Sequence, residues 1–399
     1  MLPIAHTIAI RYLAFVVLIV LTVTVLFEER KVPVVPFASY WLAYFLVALV
    51  SVFFAADPEM SLSELRVEVI YCIVIFVIGI TWGGRYQHFE RFVVLLTAIN
   101  LILTTAAFSV VSQNMLFTEI LKVHPVAFAG MDGNLLLVML PLNSWLACRF
   151  WNSGRKMLSI MLAGLIVLDV WALMATQNRQ NLVSLGAGIT AASILLLWIR
   201  FSWRRAALFI GVLSVVMTLL VAQLVRRGGE QIQAPAVASS VAASLERAEN
   251  VTRVAATTDV RWGLWKFSLE KIAEHPWIGG GFGRGVFDRL YPEYLPENAQ
   301  LWHAHNMILN KGIQMGIPGM MAFVALWIAL ATEVLRHTRT QTVSRYLATA
   351  GFAALVAIFT KNMTDDFFVR NVALWFWLIM GLLIGFLRAD AARVKTRHQ

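Results

Sequence analysis

The tetrapeptide His303-Ala304-His305-Asn306 contains the side chains of this sequence best suited to chemistry. It ends a long polar stretch and leads directly into an apolar run. Histidine titrates near neutral pH, so an imidazole at a membrane boundary can accept a proton from a substrate hydroxyl. Nine residues, 307–315, separate Asn306 from Gly316-Ile317-Pro318-Gly319, a sequence that allows a bend near the helix end. We predict that His305 is a general base or, alternatively, an interfacial histidine that binds a loop carbonyl.

A metal site is the weaker interpretation of His303 and His305. Side chains two residues apart on a helix point about 200° apart. The sequence offers neither cysteine ligands nor a His-Glu-x-x-His motif near them. We therefore predict no metal and no cofactor.

Two arginines are candidate anion ligands. Arg179 lies in a very short polar link between two apolar runs, and Arg261 begins a stretch with helical periodicity. The planar guanidinium fork suits phosphate. Alternatively, Arg179 extends to lipid headgroups and Arg261 is an ordinary exposed arginine of a surface helix.

Acidic and amide side chains in outward turns are candidate supporting groups. Asp365 and Asp366 lie between the last two apolar runs, where a carboxylate can orient a histidine or an arginine; alternatively, one of them caps a helix. The segment from Gly130 to Asn134 interrupts another run, which indicates a broken helix that lines a cavity. Asp169 lies inside an apolar run and must be protonated or paired.

The elements that position these residues are predicted to be membrane helices. The chain has 399 residues, of which 59% are hydrophobic and only 14% charged, unlike a soluble domain of this length. We predict an all-α polytopic membrane protein with eleven or twelve transmembrane helices. The apolar runs lie at about 8–27, 38–55, 65–82, 91–111, 125–148, 157–176, 181–199, 206–225, 307–335, 346–362 and 371–388.

The net charge of +10 does not indicate a nucleic-acid partner, because the basic clusters flank apolar runs. Their positions beside these runs indicate the membrane topology instead. The positive-inside rule places these clusters in the cytoplasm and the candidate residues on the outer face. Three regions follow: an N-terminal transmembrane bundle at 1–225, a large outer loop at 226–303 and C-terminal helices at 304–399. Within the loop, Trp262, Trp265, Leu269 and Ile272 recur at helical spacing, which predicts an amphipathic helix.

These motifs resemble the O-antigen ligase and polymerase superfamily, and most closely the lipopolysaccharide O-antigen ligases. The resemblance is carried by His305-Asn306, nine residues and then Gly316 and Gly319, by the HPWIGGGFG segment at 275–283, and by Arg261 ahead of Trp265. Arg179 and Asp365 match by position, and the polar break that ends at Asn134 matches loosely. The specific motifs cover about 261–319.

The resemblance implies a metal-independent glycosyltransferase of GT-C architecture in the bacterial inner membrane, with its site facing the periplasm. The donor would be O-antigen on undecaprenyl pyrophosphate and the acceptor a hydroxyl of lipid A-core. His305 would be the base, Arg179 and Arg261 would bind the pyrophosphate, and Asp365 would orient a cationic or histidine side chain. His303, Asn306, Asn134 and Asp366 would have supporting roles. Asp366 is also the alternative to Asp365.

Three other functions fit parts of the sequence. An O-antigen polymerase or a protein O-oligosaccharyltransferase would use the same donor with a different acceptor; the single large outer loop favours a ligase. A lipid-linked glycan transporter fits the interrupted runs and Asp169. The large asymmetric loop and the lack of repeat symmetry argue against transport.

Overall fold

The computed structural model describes residues 8–30, 33–111, 133–175, 179–200, 261–294, 303–339, 344–364, 366, 368 and 370–397. Within these ranges the chain is helical and contains no β-strand. The helices are α1 (Ile8–Glu29), α2 (Ala38–Phe53), α3 (Pro58–Leu65), α4 (Tyr71–Gly83), α5 (Tyr86–Val111), α6 (Gly133–Asn152), α7 (Lys156–Ala175), α8 (Arg179–Arg200), α9 (261–274), α10 (Val286–Leu290), α11 (Met307–Arg336), α12 (Ser344–Asn362) and α13 (Arg370–Arg397).

Five segments of the described chain are long and apolar enough to cross a membrane: Pro58–Gly83, Lys156–Met174, Gln180–Ile199, Met307–Arg339 and Arg370–Thr396. The prediction of an all-α polytopic membrane protein is therefore confirmed. The predicted run at 206–225 lies outside the described residues.

Helices α4 and α13 are in close contact. The contact depends on glycines four residues apart, Gly79 and Gly83 on α4 and Gly381 and Gly385 on α13. A Cβ at Gly79 would lie 2.6 Å from the Leu378 carbonyl oxygen, and one at Gly381 would lie 2.5 Å from the Phe76 carbonyl oxygen. Small residues at this spacing let two helix backbones approach closely in a membrane. The contact anchors α13 next to the N-terminal half of the chain.

Helix α11 contains the predicted bend, at Gly316. This glycine has φ 68° and ψ −167°, a conformation available essentially only to glycine. The bend exposes backbone groups of α11, and the 276–281 segment binds them. The Ile317 amide donates to the Pro276 carbonyl at 2.7 Å, and the Gly280 amide donates to the Ile313 carbonyl at 2.9 Å.

The predicted amphipathic helix is present as α9, and of the four residues that indicated it Ile272 is buried and Trp265 partly buried. Leu264, Ser268 and Ile272 are buried, whereas Trp262 is 70% and Leu269 54% exposed. Leu264 and Ile272 pack with Leu309 and Ile313 of α11, and Ile272 meets Gly312.

Asp169 is paired with neutral partners inside the bundle. Its carboxylate accepts hydrogen bonds from Asn100 at 2.7 Å and from Thr104 at 2.6 Å. Asn143 adds a longer contact of 3.5 Å. The expectation that this residue is protonated or paired is met, and these contacts give Asp169 a structural role between α5, α6 and α7.

Candidate active site

The histidine segment is a tight turn held by its own side chains. The His305 amide donates to His303 Nδ1 at 3.0 Å, and the Ala304 amide donates to the Asn310 side-chain oxygen at 2.8 Å. Trp265 of α9 donates its indole N–H to the Ala304 carbonyl at 3.0 Å. Helix α9 and the start of α11 therefore hold the turn from both sides.

Asn306 is the N-cap of α11 and also ties it to the next turn. Its side-chain oxygen accepts from the amides of Ile308 and Leu309 at 2.9 and 3.1 Å, which satisfies two free donors of the helix end. Its side-chain nitrogen donates to the Met363 carbonyl at 2.9 Å. The asparagine that follows His305 is therefore a positioning residue.

The two histidine rings stack on each other but differ in surroundings. Their centroids are 3.9 Å apart with an interplanar angle of 21°. His303 is 2% exposed, whereas His305 is only partly buried. His305 also has φ 46°, a left-handed conformation that is uncommon outside glycine and that presents its ring alongside His303.

Burial lowers the pKa of His303 far below its usual range, and the positive charges of Arg284 and Arg261 lower it further. The Arg284 guanidinium contacts His303 Nε2 directly. His303 is therefore neutral at physiological pH, and its Nδ1 is engaged by the His305 amide. Arg261, a predicted anion ligand, lies close enough for its charge to act on this ring.

Arg284 was missed by the sequence reasoning, although it connects two parts of the site. It lies in the glycine-rich segment after α9, and it donates to the Asp366 carbonyl as well as contacting His303. Its neighbours Gly281 and Gly283 have φ 116° and 120°, conformations that favour glycine. The glycines thus shape the segment that delivers a guanidinium to the histidines.

Asp366 is buried and fully engaged in this cluster. One carboxylate oxygen accepts from the Asn310 side chain, and the other accepts from the Phe368 amide at 3.2 Å. Asp365 lies outside the described residues. Asp366 therefore lies beside the histidine turn, and the functional roles of Asp365 and Asp366 stay predictions.

The start of α8 reaches the same turn. Gln180 donates to the Thr364 carbonyl at 3.3 Å, and Lys361 contacts the Gln180 side-chain oxygen at 3.5 Å. The α8 backbone begins at Arg179, so that residue enters the bundle beside residues 361–364. Of the Arg179 side chain the structure gives no description.

Asn134 lies in a buried polar layer beneath this turn. Asn362 donates to the Asn134 side-chain oxygen at 3.1 Å, and both residues are fully buried. The neighbouring Lys361 is also fully buried. Asn134 therefore supports the turn from within the bundle, while Lys361 adds an amine that the sequence reasoning did not select.

These helices and their polar cluster define a polytopic membrane protein with a candidate active site at one end of its bundle. Residues 164–324 match the family model described as O-antigen ligase, and this part of the chain belongs to the O-antigen ligase and polymerase family. The matched range includes Arg261, Arg284, His303 and His305. The chain matches no curated protein.

The match to this family model supports an activity of the O-antigen ligase and polymerase type. It also associates the chain with lipid-linked glycans and with a membrane. Within the described ranges, no three His, Cys, Asp or Glu side chains lie together as a metal site.

Proposed function

We propose that the chain transfers O-antigen glycan from undecaprenyl pyrophosphate to a hydroxyl of lipid A-core, at the periplasmic face of the inner membrane. One observation carries the proposal. A partly buried imidazole, His305, lies at one end of a membrane bundle in a cluster with two guanidinium groups, Arg284 and Arg261. Transfer of a glycan from a pyrophosphate donor to a hydroxyl requires a proton acceptor and cations.

His305 is proposed as the general base because its neighbour is unsuited to the task. His303 is enclosed, contacts Arg284 through one ring nitrogen and accepts from the His305 amide through the other. His305 retains solvent access for an acceptor hydroxyl. In the reaction its imidazole takes the hydroxyl proton while the oxygen attacks the anomeric carbon.

Cationic side chains are proposed to stabilise the charge that develops on the pyrophosphate leaving group. Arg284 and Arg261 lie beside the histidines, and Lys361 lies beside the turn that follows α12. Arg179 starts α8 next to that turn and is proposed as a fourth cation. Direct displacement of the pyrophosphate by the acceptor oxygen inverts the anomeric configuration.

Asp366 is proposed as a positioning residue. Its carboxylate holds Asn310, which in turn holds the Ala304 amide of the histidine turn. Its carbonyl accepts from Arg284. The acidic turn therefore sets the relative position of the base and one cation, and Asp365 is proposed to orient a further cationic group.

The decisive experiment measures glycan transfer by purified protein from lipid-linked O-antigen to lipid A-core, with and without a chelator. We expect His305→Ala to lower the rate by about 10²–10⁴-fold, the usual contribution of a general base. His275→Ala is the matched control, since His275 is exposed in the same loop region, and it should retain the wild-type rate.

A normal rate in the His305→Ala protein would disprove the assignment of the base. Product that grows on the lipid carrier without lipid A-core would identify a polymerase instead. Loss of activity on chelation would overturn the proposal that the transfer is metal-independent.

A further inference from the structure

We infer that one anionic phospholipid binds in an apolar groove at the end of the bundle opposite the candidate active site. Helices α6, α7, α8 and α12 enclose the groove, whose volume is about 710 Å³. This volume falls within the usual range for small-ligand sites, about 300–1,000 Å³. The inference does not rest on the proposed reaction.

The walls of the groove suit acyl chains. They consist mainly of aliphatic side chains from all four helices, including Leu140, Ile166, Val170, Leu185, Ile189 and Ala353. From Leu137 to Asn152 along α6 the groove runs about 22 Å, at a helical rise of 1.5 Å per residue. One leaflet of hydrocarbon is about 15 Å deep, so the groove can hold a full acyl chain.

The polarity of the lining fixes the direction of the lipid. Arg149, Asn152, Ser153 and Tyr346 line one end. The other end is closed by apolar side chains, among them Leu137 and Ala357. A lipid with its phosphate at the polar end therefore comes from the leaflet opposite the candidate active site.

Charge at the polar end selects an anionic headgroup. Arg149 pairs with Glu90 at 2.9 Å, and Arg155 lies 3.9 Å from the same carboxylate. Lys156 lies over the Trp151 ring at 5.7 Å. Among the described residues at this end, Arg149 and Arg155 therefore share the Glu90 carboxylate and Lys156 follows Arg155 in the chain, a basic cluster of the kind that binds anionic lipid headgroups between helices.

The groove is unsuited to the lipid tail of a donor whose pyrophosphate lies at the histidines. The layer of Asn134, Asn181 and Lys361 lies one helical turn above the closed end and is buried. A tail that entered from there would need to pass this layer. We therefore assign the groove to a phospholipid and make a polyprenyl occupant an outcome of the test.

The test is native mass spectrometry of delipidated full-length protein titrated with phosphatidylglycerol, phosphatidylcholine or undecaprenyl phosphate. We expect one phosphatidylglycerol to bind more tightly than phosphatidylcholine. Ala192→Phe fills the groove and should abolish this binding. Ala191→Phe, on the neighbouring residue that does not line the groove, should leave it unchanged. Ser144→Phe repeats the filling test from the facing helix α6.

The headgroup is tested separately. Arg149→Gln should weaken phosphatidylglycerol binding about fivefold, the effect of one cation near an anionic lipid, without changing phosphatidylcholine binding. Glu90→Gln removes the paired carboxylate but keeps Arg149, and should not weaken binding. Equal lipid binding by Ala192→Phe and Ala191→Phe, or preferential groove binding of undecaprenyl phosphate, would overturn the inference.

Discussion

The two histidine rings stack on each other but have different surroundings, which is the basis of the different roles that we propose for them. His303 is buried and contacts Arg284 and Asn310 of α11, so its imidazole stays neutral and serves as a fixed partner. His305 keeps access to solvent and is held in a left-handed backbone conformation. A pair of identical side chains thus supplies one buried ring and one ring with solvent access, the one that we propose as the base.

The neutral state of His303 predicts how stability depends on pH. Because its folded pKa lies far below the ordinary histidine value of about 6.5, only the unfolded chain binds this proton as the pH falls below that value. Stability is therefore lost on acidification, by up to about 1.4 kcal/mol per pH unit from this group. We expect thermal unfolding between pH 7.5 and 5 to show a steeper loss in wild type than in His303→Gln.

The exposed His275 provides the control for this titration. His275→Ala should keep the wild-type dependence of the unfolding temperature on pH. If His303→Gln and wild type lost stability in parallel, the neutral buried state of His303 would be refuted.

Local sequence pattern was enough to select candidate residues that lie near one another in the chain, but not those that distant contacts bring beside them. His305, Asn306 and Arg261 lie in recognisable motifs near one another in the chain. Arg284 reaches Asp366 across 82 residues, and Lys361 reaches Gln180 across 181, contacts that depend on helix packing. One signal was available: polar Asn310, Lys311 and Gln314 in an otherwise apolar run indicate a polar environment at the start of α11.

At the level of helices, the bend in α11 holds the glycine-rich segment against the site. A Cβ at Gly316 would lie 2.6 Å from the Pro276 carbonyl oxygen, which accepts from Ile317. The 276–281 segment is continuous with the loop that presents Arg284. The placement of this guanidinium beside the histidines therefore depends on a position that only glycine can occupy.

Gly316→Ala should consequently lower stability and activity together. Backbone strain of about 1–3 kcal/mol adds to the steric clash with Pro276. The expected result is a clearly lower unfolding temperature and a reduced rate of glycan transfer, measured on the same preparation.

The matched control is Gly263→Ala in α9, where the backbone is helical and, among the described residues, no atom beyond the helix's own backbone and the chain neighbours lies within 4 Å of the added Cβ. This change should be neutral or stabilise by up to about 1 kcal/mol. An unchanged unfolding temperature in Gly316→Ala would show that the bend tolerates a side chain.

Apolar periodicity predicted the long helices well, because the length of an uninterrupted run is a property of the sequence alone. It predicted α9 as an amphipathic helix but not which of its residues the protein buries: Trp262 and Leu269 are exposed while Ser268 is buried. Burial of that helix is decided by which side chains fit against α11. The four-residue spacing of the glycine pairs in α4 and α13 could have predicted that these two helices pack closely.

Across the bundle, a buried ion pair connects the N-terminal half to the helix that begins at the candidate site. The Lys311 amine lies 3.2 Å from the Glu68 carboxylate and 3.0 Å from the Gln314 side-chain oxygen. Glu68 belongs to the π-helical turn Arg66–Ile70 between α3 and α4. Lys311 directly follows Asn310, which holds Asp366, so the pair fixes the start of α11 relative to α4.

Removing one partner of this pair should cost far more than removing both. Lys311→Met leaves a buried carboxylate without its cation, a change that typically costs about 3–5 kcal/mol. The double variant Glu68→Leu with Lys311→Met removes both charges and should recover most of that loss, because apolar side chains often replace a buried ion pair without penalty. Thermal unfolding of wild type, both single variants and the double variant in one detergent measures the coupling. A double variant as unstable as the sum of the single variants would show that the two residues act independently, and the link between α4 and the start of α11 would then need another basis.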